Sequence, residues 1–287
     1  MCDNDIHQGL VEDWSVTRRM FMATGAAVGL AGAATAQAVA NVTEKNVTIK
    51  TPDGSADAAL FHPAGTGPWP AVLMWPDIMG LRPVFREMGR RLAAEGYVVL
   101  VPNPFYRNAV APVIDGTFDF SNPESRKILF GYRAAMSDAA VDHDAAAYLS
   151  FLDAQPQVDK GRKAGVQGYC MGGPLSFRTA AVASARIGAV GSFHGGGLTT
   201  DQPSSPHLLI PKTDAAYLVA VAQNDDAKEP ESKTILRKAF DAAGKTATVE
   251  VYPADHGWCV PGSQAYNHDA AEKAWAALLA MYRTALA

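Results

Sequence analysis

Gly165-Val166-Gln167-Gly168-Tyr169-Cys170-Met171-Gly172-Gly173-Pro174 constrains this chain more than any other stretch. An apolar run feeds a Gly-X-Cys-X-Gly turn, and a helical pattern follows at once over residues 175–182. A strand that passes into a helix through so tight a turn lifts the central side chain above the end of a sheet, and glycines on both sides clear the space it needs. The central residue here is Cys170. Only a thiolate is a strong nucleophile, so the surroundings of this cysteine decide what it does. The pentapeptide alone fits a buried cysteine beside a glycine turn equally well. The acid and the histidine that follow it along the chain favour a reactive group.

The remaining pattern fits an α/β fold, a doubly wound, mostly parallel sheet with helices on both faces. Residues 46–50 and 58–62 read as short strands around the turn Thr51-Pro52-Asp53-Gly54. Residues 71–75 form a continuous apolar run of the kind a buried parallel strand needs. A loop over residues 76–80, a helix over 83–95 and a strand over 98–101 complete a unit that requires a right-handed crossover. Further strands are predicted at 163–167, 187–193, 216–222 and 247–252, and helices at 137–153, 229–243 and 265–286. Residues 102–122, rich in proline, asparagine and aromatics, read as a substrate-side loop or lid, or else as a structural excursion. Residues 39–287 carry no repeat and no second domain.

Composition narrows the partners. The chain is 48% hydrophobic and 19% charged with a formal charge of −4, so no basic excess points to nucleic acid. Residues 1–38 read as an export signal instead of fold: Arg18-Arg19 with Phe21 beyond, then an Ala/Gly-rich apolar stretch, then Ala36-Gln37-Ala38 or Ala34-Thr35-Ala36 as a cleavage site. This twin-arginine leader predicts handling by the Tat export machinery and a periplasmic location. It is short and weakly hydrophobic for a permanent membrane span, and no later segment is a candidate for one. The mature chain keeps Cys170 and Cys259, too few for a disulfide framework, although an oxidising compartment offers the chance to pair them. A monomer is expected.

In a doubly wound sheet the active site gathers beyond the carboxyl ends of the strands. Cys170 is one group at such an end. Gln223-Asn224-Asp225-Asp226 supplies an acid able to orient a histidine, and Asp226, four residues before Pro230, is favoured over Asp225. Asp255-His256-Gly257 brings an imidazole after the last strand, where a general base would face the nucleophile. His194 either lines the pocket or caps its loop. His256-X-X-Cys259 has no second pair at ligand spacing, so no metal is expected, and no cofactor motif is present.

Gly168-Tyr169-Cys170-Met171-Gly172-Gly173, Phe193-His194-Gly195-Gly196-Gly197, the Asp225-Asp226 loop and residues 252–258 together resemble the dienelactone hydrolase family of α/β-hydrolases, and the likeness runs over residues 47–282. The resemblance implies a Cys170–Asp226–His256 triad and an oxyanion hole from the backbone N–H groups of Met171 and Ile78. It implies hydrolysis of a small ester or lactone through a thioester. The family's thiol-modulating glutamate is matched by Asp77, one methylene shorter. Of the family's two substrate-carboxylate arginines, Arg107 matches one and Val260 stands at the other. Arg107, His194 and Trp258 are the candidate substrate contacts. Other readings of the same triad are an acyl transferase or thioesterase, or a non-catalytic relative whose thiol serves redox sensing or binding.

Overall fold

The computed structural model describes residues 42–114 and 122–287; the leader over residues 1–38 lies outside them. Among the described residues, eight strands form one sheet in the order β1-β2-β4-β3-β5-β6-β7-β8. They are β1 Val42–Thr51, β2 Gly54–Pro63, β3 Ala71–Trp75, β4 Val98–Pro102, β5 Ala164–Tyr169, β6 Ile187–Phe193, β7 Ala216–Ala222 and β8 Ala247–Tyr252. β1–β2 and β2–β4 pair antiparallel; every other neighbouring pair is parallel. The mostly parallel sheet expected from the alternating pattern is therefore the one formed. The first hairpin is longer than its apolar core implied, because the polar residues of β1 extend it through ten paired positions.

All residues of β3, β4, β5 and β6 are buried, as largely apolar strands between two helical layers must be. Side chains alternate between the faces. Leu73, Val166, Val190 and Val219 join one core, and Val72, Met74, Ala189 and Leu218 the other. Helices α3 (Asp138–Asp153), α4 (Gly172–Val182) and α6 (Ser232–Ala242) pack Tyr148, Phe177 and Phe240 on the first face. Helices α1 (Pro83–Ala94) and α7 (His268–Ala285) pack Phe85 and Tyr282 on the second. Each such fully buried aromatic or aliphatic side chain contributes roughly 1.5–3 kcal/mol. Several polar groups between these layers are matched. Tyr282 Oη donates to Gln167 Oε1 at 2.9 Å, Gln167 Nε2 donates to Tyr169 Oη at 2.8 Å, and Trp75 Nε1 donates to Thr179 Oγ1 at 3.0 Å.

Three elements depart from the sequence expectation. Helix α2 (Pro123–Ala134) buries only Leu129, so it shows no apolar stripe; it is started by Asn122, whose side chain accepts from Glu124 N, and by Pro123. Residues Pro206–Lys212 form a 3₁₀ turn. Gln223–Lys228, expected as loop, is a short helix, α5. The start of the 102–122 segment is tied down by Asp57, which accepts from Asn103 Nδ2 at 2.9 Å and from Ala111 N at 2.8 Å. Its Val113 reaches the β3 loop, lying 3.4 Å from where a Cβ on Gly80 would be.

Candidate active site

Cys170 stands at the turn between β5 and α4 with φ 51°, in the left-handed region that a non-glycine residue enters at a cost of about 1–3 kcal/mol. The surrounding backbone enforces that turn. Cys170 N donates to Phe193 O at 3.0 Å and Gly173 N to Cys170 O at 3.0 Å. A Cβ on Gly168 would lie 1.9 Å from Gly172 O, and one on Gly172 would lie 2.5 Å from Trp75 O. The glycines are thus required by close backbone approach, and that approach presses the start of α4 against the end of β3. Met171, at the start of α4, and Ile78, in the β3 loop, are brought to this same end. The first N–H groups of a helix have no partner within it, and Met171 stands at the N-cap position of α4.

His256 arrives from the loop after β8, and α5 holds that loop. His256 N donates to Asn224 Oδ1 at 2.8 Å, Gln223 N donates to Ala254 O at 3.0 Å, and Gln223 Nε2 donates to Asp255 Oδ1 at 3.1 Å. His256 Nδ1 lies 2.7 Å from Asp225 Oδ2, so the ring donates there and Nε2 is the nitrogen left for Cys170. The expectation of Asp226 as the orienting acid is corrected by this geometry. Asp226 accepts from Lys233 Nζ at 2.6 and 2.8 Å on its two oxygens. The cause is local: successive residues of a helical turn diverge by about 100°, so only one of the two aspartates can face the histidine.

Cys170, His194 and His256 offer ligand-type atoms that lie within 4.8 Å of one another. Burial works against a charge on His256. The charge of the Cys170 sulfur and the bond to Asp225 outweigh it and hold the imidazolium well above the ordinary histidine value. His194 has the opposite balance: burial, then the charge of His256, push it well below that value and keep it neutral. Its ring meets that of His256 edge to face, with centroids 4.6 Å apart and planes at 63°. Its φ is 40°, its backbone N–H donates to Ala220 O at 2.8 Å, and both its ring nitrogens are buried with no hydrogen-bond partner among the described residues. Each such group costs about 1–3 kcal/mol when left unpaired.

Three other expected site residues have different partners. Asp77, matched to a thiol-modulating carboxylate, is buried in a two-pronged pair with Arg82, Nη1–Oδ1 2.5 Å and Nη2–Oδ2 2.8 Å, and accepts from Met79 N at 2.9 Å. A carboxylate so committed braces the β3 loop that carries Ile78. Arg107, matched to a substrate arginine, is clamped by Asp144 (2.7 and 2.8 Å) and by Asp53 (2.5 Å), and its guanidinium lies 4.5 Å from the Tyr106 ring centroid. Two carboxylates already neutralise it. Trp258 is fully buried, stacked on Tyr252 at 4.6 Å between centroids and 15° between planes, and belongs to the second core. Cys259 lies in that same core, whereas Cys170 packs against the first, and both are free thiols. Burial pushes the Cys259 thiol well above its ordinary value.

Comparison with known proteins agrees with this architecture. The chain is 27% identical over 244 residues, 84% of its own length and 96% of the relative's, to a Synechocystis protein provisionally named a carboxymethylenebutenolidase. It is 25% identical over 239 residues, 83% and 94% of the two chains, to a carboxymethylenebutenolidase from a Pseudomonas species. The fold superposes on the crystal structure of a dienelactone hydrolase from Anabaena variabilis with a TM-score of 0.61 at 17% identity, covering 86% of this chain and 100% of that one. A dienelactone hydrolase-like promiscuous phosphotriesterase from metagenomic libraries gives a TM-score of 0.70 at 24% identity over the same shares. No helix among the described residues is long and apolar enough to cross a membrane. The model of the dienelactone hydrolase family matches residues 56–286, nearly the whole of the described fold, and the chain belongs to that family of α/β-hydrolases.

Proposed function

We propose that this protein hydrolyses a small ester or lactone by covalent catalysis at Cys170. The observation that carries the proposal is the grouping of Asp225, His256 and Cys170: the histidine is fixed from behind at 2.7 Å, and its ring lies within 4.8 Å of the sulfur of a cysteine held on a strained turn at a helix start. In the thiolate–imidazolium pair the sulfur attacks the carbonyl carbon. The carbonyl oxygen gains charge as the tetrahedral intermediate forms, and the N–H groups of Met171 and Ile78 meet it there. When the carbon–oxygen bond of the ester breaks, His256 Nε2 gives its proton to the departing alkoxide. The acyl group is left on sulfur as a thioester. Water then attacks that carbonyl while His256 takes its proton; the carbon–sulfur bond breaks, and acid and thiolate are released. Asp225 keeps the ring in the tautomer that points Nε2 at sulfur throughout.

The environment of Arg107 shapes the substrate. Neutralised by Asp144 and Asp53, it supports no bidentate grip on a substrate carboxylate, and Val260 offers no charge at the position of the second clamp. An uncharged ester or lactone is therefore the preferred class. A panel pairing neutral esters and lactones with carboxylated analogues of the same ring tests this. Turnover of the neutral members with kcat/KM above that of their carboxylated partners is expected, and a consistent preference for the carboxylated members would refute it.

We also propose that residues 1–38 direct export by the twin-arginine route, on the strength of Arg18-Arg19 and the Ala/Gly-rich stretch behind them. Cell fractionation of the full chain beside a variant with both arginines changed to lysine tests this: periplasmic protein in the first and cytoplasmic protein in the second is the expected result.

A further inference from the structure

We propose that Cys170, His194 and His256 form a three-ligand site for Zn²⁺ whose occupancy reversibly shuts the enzyme off. The ligands come from the ends of three strands, β5, β6 and β8, so no spacing along the chain announces them. Their sulfur and two nitrogens lie within 4.8 Å of one another. Tetrahedral Zn²⁺ with bonds of about 2.0–2.3 Å holds its ligands roughly 3.5 Å apart, so side-chain rotation on the order of 1 Å closes the set.

His194 is the residue that hydrolysis leaves unexplained. It is 1% exposed, both its ring nitrogens lack a partner among the described residues, and its backbone is held at φ 40° with the ring against His256. A buried imidazole whose ring nitrogens have no partner among the described residues is a metal ligand in waiting, and two imidazoles with a thiolate are a borderline-soft set suited to Zn²⁺. His256 is already braced as zinc histidines are, with Nδ1 donating to the Asp225 carboxylate and Nε2 buried without a hydrogen-bond partner among the described residues. Cys170 is partly exposed, which leaves the fourth position to water.

Binding involves no oxidation. The Cys170–His256 pair carries one exchangeable proton between sulfur and Nε2. That proton passes to solvent as sulfur and both nitrogens bond to the metal. The sulfur lone pair needed for attack is then engaged. The shut-off rests on the reading of Cys170 as nucleophile, while the binding itself does not.

The test uses the full metal-free chain, with Zn²⁺ counted after equilibrium dialysis and Co²⁺ added to a parallel sample as an optical reporter of thiolate ligation. One Zn²⁺ per chain and a sulfur-to-cobalt charge-transfer band are expected. Cys170→Ser abolishes the band. Asp225→Asn weakens Zn²⁺ binding by about 10–100-fold, and His194→Gln weakens it by more than that. Circular dichroism identifies a variant that has not folded, and if His194→Gln fails, His194→Asn takes its place. No bound Zn²⁺, or binding unchanged by the changes at residues 170 and 194, overturns the site. Turnover of p-nitrophenyl acetate followed in the same Zn²⁺ titration separates the two readings. Loss that tracks occupancy and reverses on chelation supports both. Zn²⁺ held by these residues with turnover intact overturns the shut-off together with Cys170 as nucleophile. Turnover that depends on Cys170 in a chain that binds no Zn²⁺ overturns the metal site alone.

Discussion

His256 Nδ1 and Asp225 Oδ2 are 2.7 Å apart, while the next residue, Asp226, is held by Lys233 on both of its oxygens. One aspartate thus faces the site and the other faces helix α6.

Asp225→Asn keeps the shape but removes the charge that fixes the ring, and it lowers kcat by roughly 10²–10⁴. Asp226→Asn breaks a partly exposed ion pair, costs at most about 1 kcal/mol of stability and leaves kcat near wild type. Steady-state kinetics on the two variants decide the assignment. Equal losses, or a larger loss at Asp226, would contradict it.

Arg107 is held between Asp144 and Asp53, and the proposal above makes it a brace for the fold. Asp144 is fully buried, and Arg107→Met would leave its carboxylate without a counter-ion, at about 3–5 kcal/mol in unfolding free energy. Urea denaturation gives the loss, and kinetics on whatever folded protein remains should show KM for carboxylated and neutral substrates moving together. A selective rise in KM for the carboxylated member would restore Arg107 to the substrate.

Burial works against a charge on His256, and the interaction with the Cys170 sulfur is the leading cause that instead holds its imidazolium well above the ordinary histidine value. Cys170→Ala removes that cause and leaves burial opposed only by Asp225, so His256 then titrates at lower pH. NMR titration of the ring measures this directly. His194, kept neutral by burial, stays unprotonated throughout the physiological range in both proteins. An unmoved His256 would mean that no charge resides on sulfur.

Iodoacetamide should distinguish the two thiols. Cys170 is partly exposed at a helix start, whereas Cys259 is 9% exposed with its thiol form favoured by burial, and the two pack against opposite faces of the sheet. Peptide mapping of native protein should find label at Cys170 and reach Cys259 only after unfolding. Oxidation should yield no Cys170–Cys259 disulfide; recovery of that cross-linked peptide from folded protein would contradict the separation.

The strands were legible because β3 and β4 are unbroken apolar runs and β5 and β6 are nearly so, interrupted only by Gln167 and Ser192, and the elbow because its glycines are demanded by contacts such as that of Gly168 with Gly172 O. Helix α2 was not, since its one buried residue, Leu129, leaves no period to read; only Asn122-Pro123-Glu124 marked its start. The position of His256 after the last strand could be inferred, but the choice between Asp225 and Asp226 depended on the phase of a six-residue helix, α5, that the sequence suggested was loop. Arg107 took its partners from 37 and 54 residues away, at Asp144 and Asp53, and such long-range pairing leaves no local trace. Asp77 found Arg82 only five residues on, a spacing short enough to be visible within the β3 loop itself. His194 was open between pocket and cap; its ring is buried edge to face against that of His256, a contact between two loops that no local pattern announces.

The most direct test of covalent catalysis at Cys170 is the intact mass of the reduced chain during turnover of p-nitrophenyl acetate, quenched in acid and compared with Cys170→Ala. A transient acetyl adduct on the wild-type chain, mapped to Cys170 and lost as ester is exhausted, with neither adduct nor turnover in the variant, is the result predicted. Turnover that persists in Cys170→Ala, or an adduct mapped to another residue, would contradict it.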